Sequence, residues 1–496
     1  MNPTARYAEI LRSKVIPAPR HLTLLSEDAM ASISEETRII LETRVPEAKA
    51  LILHAFADWW NVVPQMETRP LESPLNPEGY TLKINAAEIR LCAESEAGVR
   101  NALWTLRQLA EAERGTRTVS RWNLPLVDVE DYPETAFRCL HLCWFPETPA
   151  FEIERSLRMA AFCKFNYVIL ESWGMTRLHS HPEYCWDEFA VEPETITALV
   201  ELGRSLGVTV IPQFNLFGHA TLSRTGTGKH VLLDSHPEYE SLFEPDGWSW
   251  CLSNPETRKY LTEIVQELIQ IYQNPPFFHI GCDEAYNCGS CSVCEKDLHG
   301  YMLKHIQYFH DLLASQGIRA MMWHDMLLAQ DDTTWRGYTA CGYLFDNTLD
   351  LVNELPKDII LCDWEYGSPL EKDADKPWPT VRFFREKGFD VMPCPWNNEK
   401  GIWSLGDLVH ELQLPGIVVT TWHQCHDSQN FTKFFWVGAQ AAWHPTYRQL
   451  YGLNVVPREY INRMVRLVNR DAGAKTYRQF GTAQHQIPPL SIQEIG

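Results

Sequence analysis

Two adjacent carboxylates, Asp283 and Glu284, close the run Phe277-Phe278-His279-Ile280-Gly281-Cys282-Asp283-Glu284. An acid pair at the end of an apolar segment loses solvation and repels itself, and both effects raise a carboxyl pKa. A carboxyl that keeps its proton near neutrality suits general-acid work. The alternative is a solvated Asp-Glu pair that only opens a loop. Directly downstream, Asn287-Cys288-Gly289-Ser290-Cys291-Ser292-Val293-Cys294 carries three cysteines with two-residue gaps. This is metal-ligand spacing, and Gly289 and Ser290 let the chain turn around an ion. Cys288, Cys291 and Cys294 are candidate ligands of a structural Zn2+, with Cys185, His181 or His299 as the fourth. The usual second CxxC pair is absent, so free thiols or a local redox pair are the alternative.

The elements around these residues repeat. From about residue 150 to 425 an amphipathic helix ends at a Gly and a short apolar strand follows: 199–206, Gly207, then Val208-Thr209-Val210-Ile211; 310–316, Gly317, then 318–323; 381–387, Gly388, then 389–392. Each Gly is the left-handed C-cap that stops its helix. Asn254-Pro255 starts a further helix, a cap with proline in the first turn. The strands are continuous apolar runs, as expected when both faces are covered. Eight of them centre on Leu140, Ile169, Val210, Ile280, Met321, Leu361, Val391 and Val418. Eight β/α units predict an α/β fold, a (β/α)8 TIM barrel. No GxGxxG or GxxxxGK[ST] turn follows a strand, which argues against a nucleotide site. Upstream, 79–84 and 88–92 form a hairpin and 98–112 a helix, predicting a small α+β domain. Further helices are expected at 435–443 and 457–468. The predicted domains are 1–130, a small α+β unit; 131–430, the barrel; and 431–496, a helical segment packed on the barrel.

Functional groups of such barrels lie at the C-terminal ends of the strands. Strand ends are expected at Arg138–Cys143, Glu171-Ser172-Trp173, 215–219, Asp283-Glu284, Trp323-His324-Asp325, Asp363-Trp364-Glu365-Tyr366, Trp396 and Trp422-His423-Gln424. Acids for proton transfer between aromatic walls are what sugar hydrolysis requires. The 18 Trp add to this, because indole faces stack on sugar rings, although most Trp in any protein serve the core. The net charge of −20 argues against nucleic acid as a partner, since phosphate binding needs clustered Lys and Arg. No apolar run is long enough to span a membrane. The first residues lack the apolar core of a signal peptide. The 14 Cys sit mostly singly within apolar strands, such as Ile360-Leu361-Cys362, so free thiols in the cytoplasm are expected.

His279-Ile280-Gly281-Cys282-Asp283-Glu284 resembles the His-x-Gly-x-Asp-Glu signature of glycoside hydrolase family 20, the β-N-acetylhexosaminidases. Other segments follow the family's order. Glu78-Gly79-Tyr80, Gly98 and Thr105-Leu106-Arg107-Gln108-Leu109 are similar to its small N-terminal domain. Asp131-Tyr132-Pro133 and Phe137-Arg138 resemble the entry to its first barrel strand, and 211–220, ending in Gly218-His219-Ala220, its third-strand motif. The resemblance spans roughly residues 15–430. Gln213 and Asn215 stand where many members carry Glu and Asp, Trp422-His423-Gln424 where they carry Trp-Gly-Glu, and Glu171-Ser172-Trp173 where they carry His-Leu-Thr-Asp-Asp. These departures resemble a divergent branch, closer to hexosaminidase D-like proteins than to the lysosomal enzymes.

The resemblance implies a retaining exo-enzyme that removes terminal β-linked GlcNAc or GalNAc from a glycan or glycoconjugate, without a cofactor in the chemistry. The substrate's own 2-acetamido oxygen is the nucleophile. Glu284 is implied as general acid and then base, and Asp283 as the group that accepts the acetamide N–H and stabilises the cationic intermediate. Tyr366 would donate to the acetamide oxygen and Arg138 would bind ring hydroxyls. Trp323, Trp364 and Trp422 would wall the pocket. His219 would hydrogen-bond Glu284 and be oriented by Glu171; His279 is read as structural, and Trp396 as either an outer platform or core. Two alternatives remain: a retaining glycosidase with a carboxylate nucleophile, such as Glu171 paired with Glu284, acting on sugars without an acetamide; and a silent carbohydrate-binding protein. An oligomer is compatible with the sequence.

Overall fold

The computed structural model describes residues 8, 10–114, 119–146, 148–221, 231–342, 348–422, 433–447 and 467–468. They fall into two compact units. The first takes Met1–Ala136, Arg158–Phe165 and Phe435–Gly496; the second takes Phe137–Leu157 and Asn166–Phe434.

The first unit is built on a six-stranded mixed sheet in the order His21–Leu24, Val127–Asp131, Tyr80–Ile84, Ile89–Ala93, Arg38–Thr43, Gln65–Arg69. The expected hairpin is there, with Tyr80 opposite Ala93 and Ile84 opposite Ile89. Tyr80, Leu82 and Ile84 alternate with more exposed residues, and so do Ile89, Leu91 and Ala93, which gives the sheet one apolar face. The helix Glu96–Leu109 covers that hairpin with Val99, Ala102, Leu103 and Leu106. It starts earlier than expected because the Ser95 hydroxyl accepts the Gly98 N–H. It stops at Leu109, short of 112, because Glu111–Arg114 joins a three-stranded sheet with Val119–Pro125 and Met30–Ile33. A buried charge pair also lies in this unit. Lys164 Nζ donates to Asp131 Oδ2 and to the Tyr80 hydroxyl, each at 2.9 Å, and the Trp443 indole donates to Asp131 Oδ1 at 2.9 Å.

The second unit is the barrel. Its eight parallel strands are Phe137–Cys143, Tyr167–Glu171, Thr209–Gln213, Phe277–His279, Arg319–Trp323, Ile360–Asp363, Asp390–Pro393 and Gly416–Thr420, and the eighth pairs back onto the first. Just past the seventh strand, the Pro395 carbonyl accepts the Thr420 N–H at 2.8 Å, which helps close the ring. Phe137, Cys139, Ile169, Ile211, Met321, Trp323, Ile360, Cys362, Met392, Cys394 and Val418 fill the interior. Helices alternate with the strands as the glycines predict: Gly207 caps Pro193–Leu206 at φ 80°, and Gly317 and Gly388 follow their helices at φ 74° and 87°. Asn254 caps Pro255–Ile271 through the Glu256 N–H.

The fourth strand ends sooner than its apolar run suggests. Its ladder covers only Phe277–His279, because Gly281 at φ 69° and Cys282 at φ 75° turn the chain out of line. After the barrel, Ala439–Trp443 is helical. The helix expected at 457–468 lies outside the described residues apart from Leu467 and Val468.

Candidate active site

The mouth of the barrel gathers His219 beyond the third strand, Asp283 and Glu284 beyond the fourth, Asp325 beyond the fifth, Trp364 and Tyr366 beyond the sixth, and Trp422 beyond the eighth. The backbone is bent to present them. His219, Cys282, Glu284 and Trp422 hold positive φ values of 51°, 75°, 45° and 47°, where side chains are disfavoured. Such strain persists only where the surroundings fix it, and it clusters at functional sites. Gly218 allows a close approach, since a Cβ there would stand 2.2 Å from the Asp283 carbonyl oxygen.

His219 lies between the two acids. Its Nε2 is 3.1 Å from Glu284 Oε2 and 3.4 Å from Asp283 Oδ2. The Asp283 side chain is only 4% exposed and that of Glu284 31%, so one acid faces inward and the other can meet solvent or a ligand. The Tyr286 hydroxyl donates to Glu284 Oε1 at 2.6 Å, and the Trp248 indole donates to the Glu284 carbonyl at 2.5 Å. Trp248 also lies beside His219, with ring centroids 4.5 Å apart. The Trp173 indole donates to the His219 carbonyl.

Asp325 ties this group to the aromatic wall. Oδ2 accepts the Glu284 backbone N–H at 2.9 Å and Oδ1 accepts the Trp364 indole N–H at 3.0 Å. Burial, and then the charge of Asp283, push its carboxyl up to about 7. Burial also holds the Tyr286 phenol well above its usual value, helped by the bond it donates to Glu284. The Tyr366 phenol is raised well above its usual value too, first by burial, with the charges of Asp283 and Glu284 among the smaller causes.

Trp323 is fully buried and forms a floor with His279, Trp422 and His141, at ring centroid distances of 4.3, 5.5 and 5.6 Å. Trp364 and Trp422 are half-buried, and Tyr366 lies against Trp364 and Trp396. His279 is fully buried, and burial holds its imidazole well below its usual value. Its Nδ1 accepts the Gly281 N–H at 3.1 Å, which pins the turn into Asp283.

Two more of the expected residues, Arg138 and Glu171, are buried on the first two strands. Arg138 is the second residue of the first strand, whose mouth end is Cys143. Glu171 is 1% exposed, with Oε1 accepting from Asn215 Nδ2 at 2.8 Å and Oε2 from Cys143 Sγ at 3.1 Å; His141 Nε2 is 3.3 Å away. The amide at 215 suits this carboxylate, where an acid would repel it. His423 and Gln424 lie outside the described residues.

Of the three cysteines, Cys291 and Cys294 are brought together with Cys251 and Glu244, and their ligand atoms all lie within 4.8 Å of one another. Cys288 is buried beside this group without joining it. The fourth ligands suggested by sequence are engaged elsewhere: Cys185 Sγ with the Pro182 carbonyl, His181 with Glu263 and Glu183, and His299 with Glu354. Sequence reasoning missed Trp248 and Tyr286, and gave Asp325 no role although its strand-end position flagged it.

The sequence matches the family model described as glycosyl hydrolase family 20, catalytic domain, over residues 166–442, and glycosyl hydrolase family 20, domain 2, over residues 12–132. It is 22% identical to Beta-hexosaminidase 1 of Coccidioides posadasii over 322 residues, covering 58% of this chain and 50% of that protein. It is 26% identical to Beta-hexosaminidase subunit alpha of Bos taurus over 340 residues, covering 64% and 58%. The chain thus spans roughly half the length of the curated relatives it matches. Among solved structures, Flavobacterium johnsoniae chitobiase superposes with a TM-score of 0.68 at 15% identity, over 94% of this chain and 74% of that one. The β-N-acetylhexosaminidase of Bacteroides fragilis gives 0.66 at 16% identity, over 91% and 96%. At such identity the likeness speaks for the fold, and the family models supply the rest: the chain belongs to glycosyl hydrolase family 20.

Proposed function

We propose that the chain is a retaining exo-β-N-acetylhexosaminidase that removes terminal β-linked GlcNAc or GalNAc from glycans by substrate-assisted catalysis. The observation that carries this reading is the pair Asp283 and Glu284 facing one His219 nitrogen in a Trp-lined barrel mouth. Glu284, the more exposed acid, protonates the leaving oxygen and then activates water. Asp283 accepts the acetamide N–H and stabilises the positive charge of the cyclised intermediate. Tyr366 donates to the acetamide oxygen, and Trp323, Trp364 and Trp422 enclose the ring. His219, Asp325, Tyr286 and Trp248 act as positioning residues on the two acids. Acid, base and charge stabiliser are all side chains, so the reaction draws on no cofactor.

The reading with Glu171 as a covalent nucleophile loses support from its burial and its bonds to Asn215 and Cys143. A cytoplasmic setting is proposed from the free thiols of the described cysteines. Nitrophenyl sugars with and without the 2-acetamido group test the function. Turnover confined to the acetamido sugars is expected; equal turnover of both, or none of either, would overturn it.

A further inference from the structure

Past the mouth, two loops converge on a group of side chains with no part in the reaction above. Glu244 and Cys251 come from the loop after the third strand, and Cys291 and Cys294 from the loop that leaves Glu284. Cys251 Sγ is 3.8 Å from Cys291 Sγ and 3.9 Å from Cys294 Sγ. Two sulfurs on one tetrahedral Zn2+, each at about 2.3 Å, stand about 3.8 Å apart. A disulfide would need about 2.05 Å, and the three thiols are free.

Glu244 supplies the second, independent observation. It is 1% exposed, and its Oε1 is buried without a hydrogen-bond partner. A buried carboxylate oxygen left in this way is costly unless a cation meets it. Its Oε2 is already fixed, accepting the Cys291 N–H at 2.7 Å, which leaves Oε1 as the ligating atom. The Cys294 N–H donates to Cys291 Sγ at 3.3 Å, and the Ser253 hydroxyl lies 3.4 Å from Cys251 Sγ.

We infer that Cys251, Cys291, Cys294 and Glu244 form a tetrahedral structural zinc site that locks the loop carrying Trp248 to the loop carrying Glu284. Three soft sulfurs with one carboxylate oxygen in a closed four-ligand shell select Zn2+ over Mg2+ or Ca2+, which take six or more hard oxygens. The thiols release their protons on binding. Cys288, the first cysteine of the run, is outside the shell. The effect on catalysis is indirect. Trp248 lies between Glu244 and Cys251 in sequence and donates to the Glu284 carbonyl, while Asn287 donates to Asp246 across the same seam. The metal holds both strands of that seam.

The test is metal analysis of the full chain purified without added zinc or chelator. About one Zn per chain is expected in the wild type and in Cys288→Ser, and under about 0.2 in Cys251→Ser and Cys291→Ser. Cobalt exchanged into the wild type and Cys288→Ser should give tetrahedral cobalt–thiolate absorption, so the inference stays testable if the Cys251 and Cys291 variants do not fold. Wild type with under about 0.2 Zn per chain and three thiols titrating freely would overturn the site. So would a mass two hydrogens lower, showing a disulfide at Cys251, or zinc lost from Cys288→Ser as fully as from Cys251→Ser.

Discussion

Asp325→Ala should separate activity from stability in a pH-dependent way. In the wild type the carboxylate accepts the Glu284 backbone N–H and the Trp364 indole N–H, and burial with the charge of Asp283 raises its pKa from 3.8 to about 7. A raised carboxyl means that the folded state keeps a proton which the unfolded chain gives up. The contribution to stability is complete below about pH 4 and is lost as pH rises through about 7. Between pH 5 and pH 8 that loss is on the order of 2–3 kcal/mol. The variant removes this term together with two acceptors, whose loss costs about 2–4 kcal/mol in total. The wild type should therefore be more stable than Asp325→Ala by a few kcal/mol at pH 5, and by little at pH 8. Urea unfolding of both proteins at the two pH values measures the difference directly. Asp363 and Glu365, also raised to about 7, titrate in both proteins and cancel in the comparison. At pH 8, kcat should still fall about 10- to 100-fold, because Glu284 and Trp364 lose their common anchor. A stability gap equal at both pH values to within about 0.5 kcal/mol would refute the electrostatic reasoning, and unchanged kcat would refute the positioning role.

Glu284→Gln should keep the shape of the site and lose its acid. The loss should be severe for glycosides with poor leaving groups and mild for activated aryl glycosides; equal loss across a leaving-group series contradicts the assignment. Trp248→Phe keeps an aromatic ring beside His219 but removes the bond to the Glu284 carbonyl, so kcat should drop about 3- to 10-fold with KM little changed. Lys164→Met leaves the Asp131 charge buried in the N-terminal unit and should destabilise the protein by about 3–5 kcal/mol in urea melts. The kcat per folded molecule should stay the same.

The barrel was legible because each strand is an apolar run of its own and a left-handed glycine ends the helix before three of them, at Gly207, Gly317 and Gly388. Asp283, Glu284, Trp364 and Trp422 were legible because a strand-end position is fixed by local sequence. The zinc ligands were half legible. Cys291 and Cys294 are neighbours in sequence, whereas Cys251 and Glu244 lie 40 and 47 residues before Cys291 and meet it only through the packing of two barrel loops. Asp325 stood at a strand end in plain view. Its role depends on which N–H groups point at it, and those come from two other strands.

The most direct test of the central claim is whether the nucleophile belongs to the substrate. A thiazoline mimic of the cyclised acetamido intermediate and a 2-deoxy-2-fluoro glycoside trap should be compared on one preparation, by inhibition kinetics and intact mass. Tight competitive inhibition by the thiazoline, weakened about 100-fold or more in Asp283→Asn, with no mass gained from the fluorosugar, is the predicted result. A fluorosugar adduct on a protein carboxylate, with the thiazoline inert, would contradict substrate assistance.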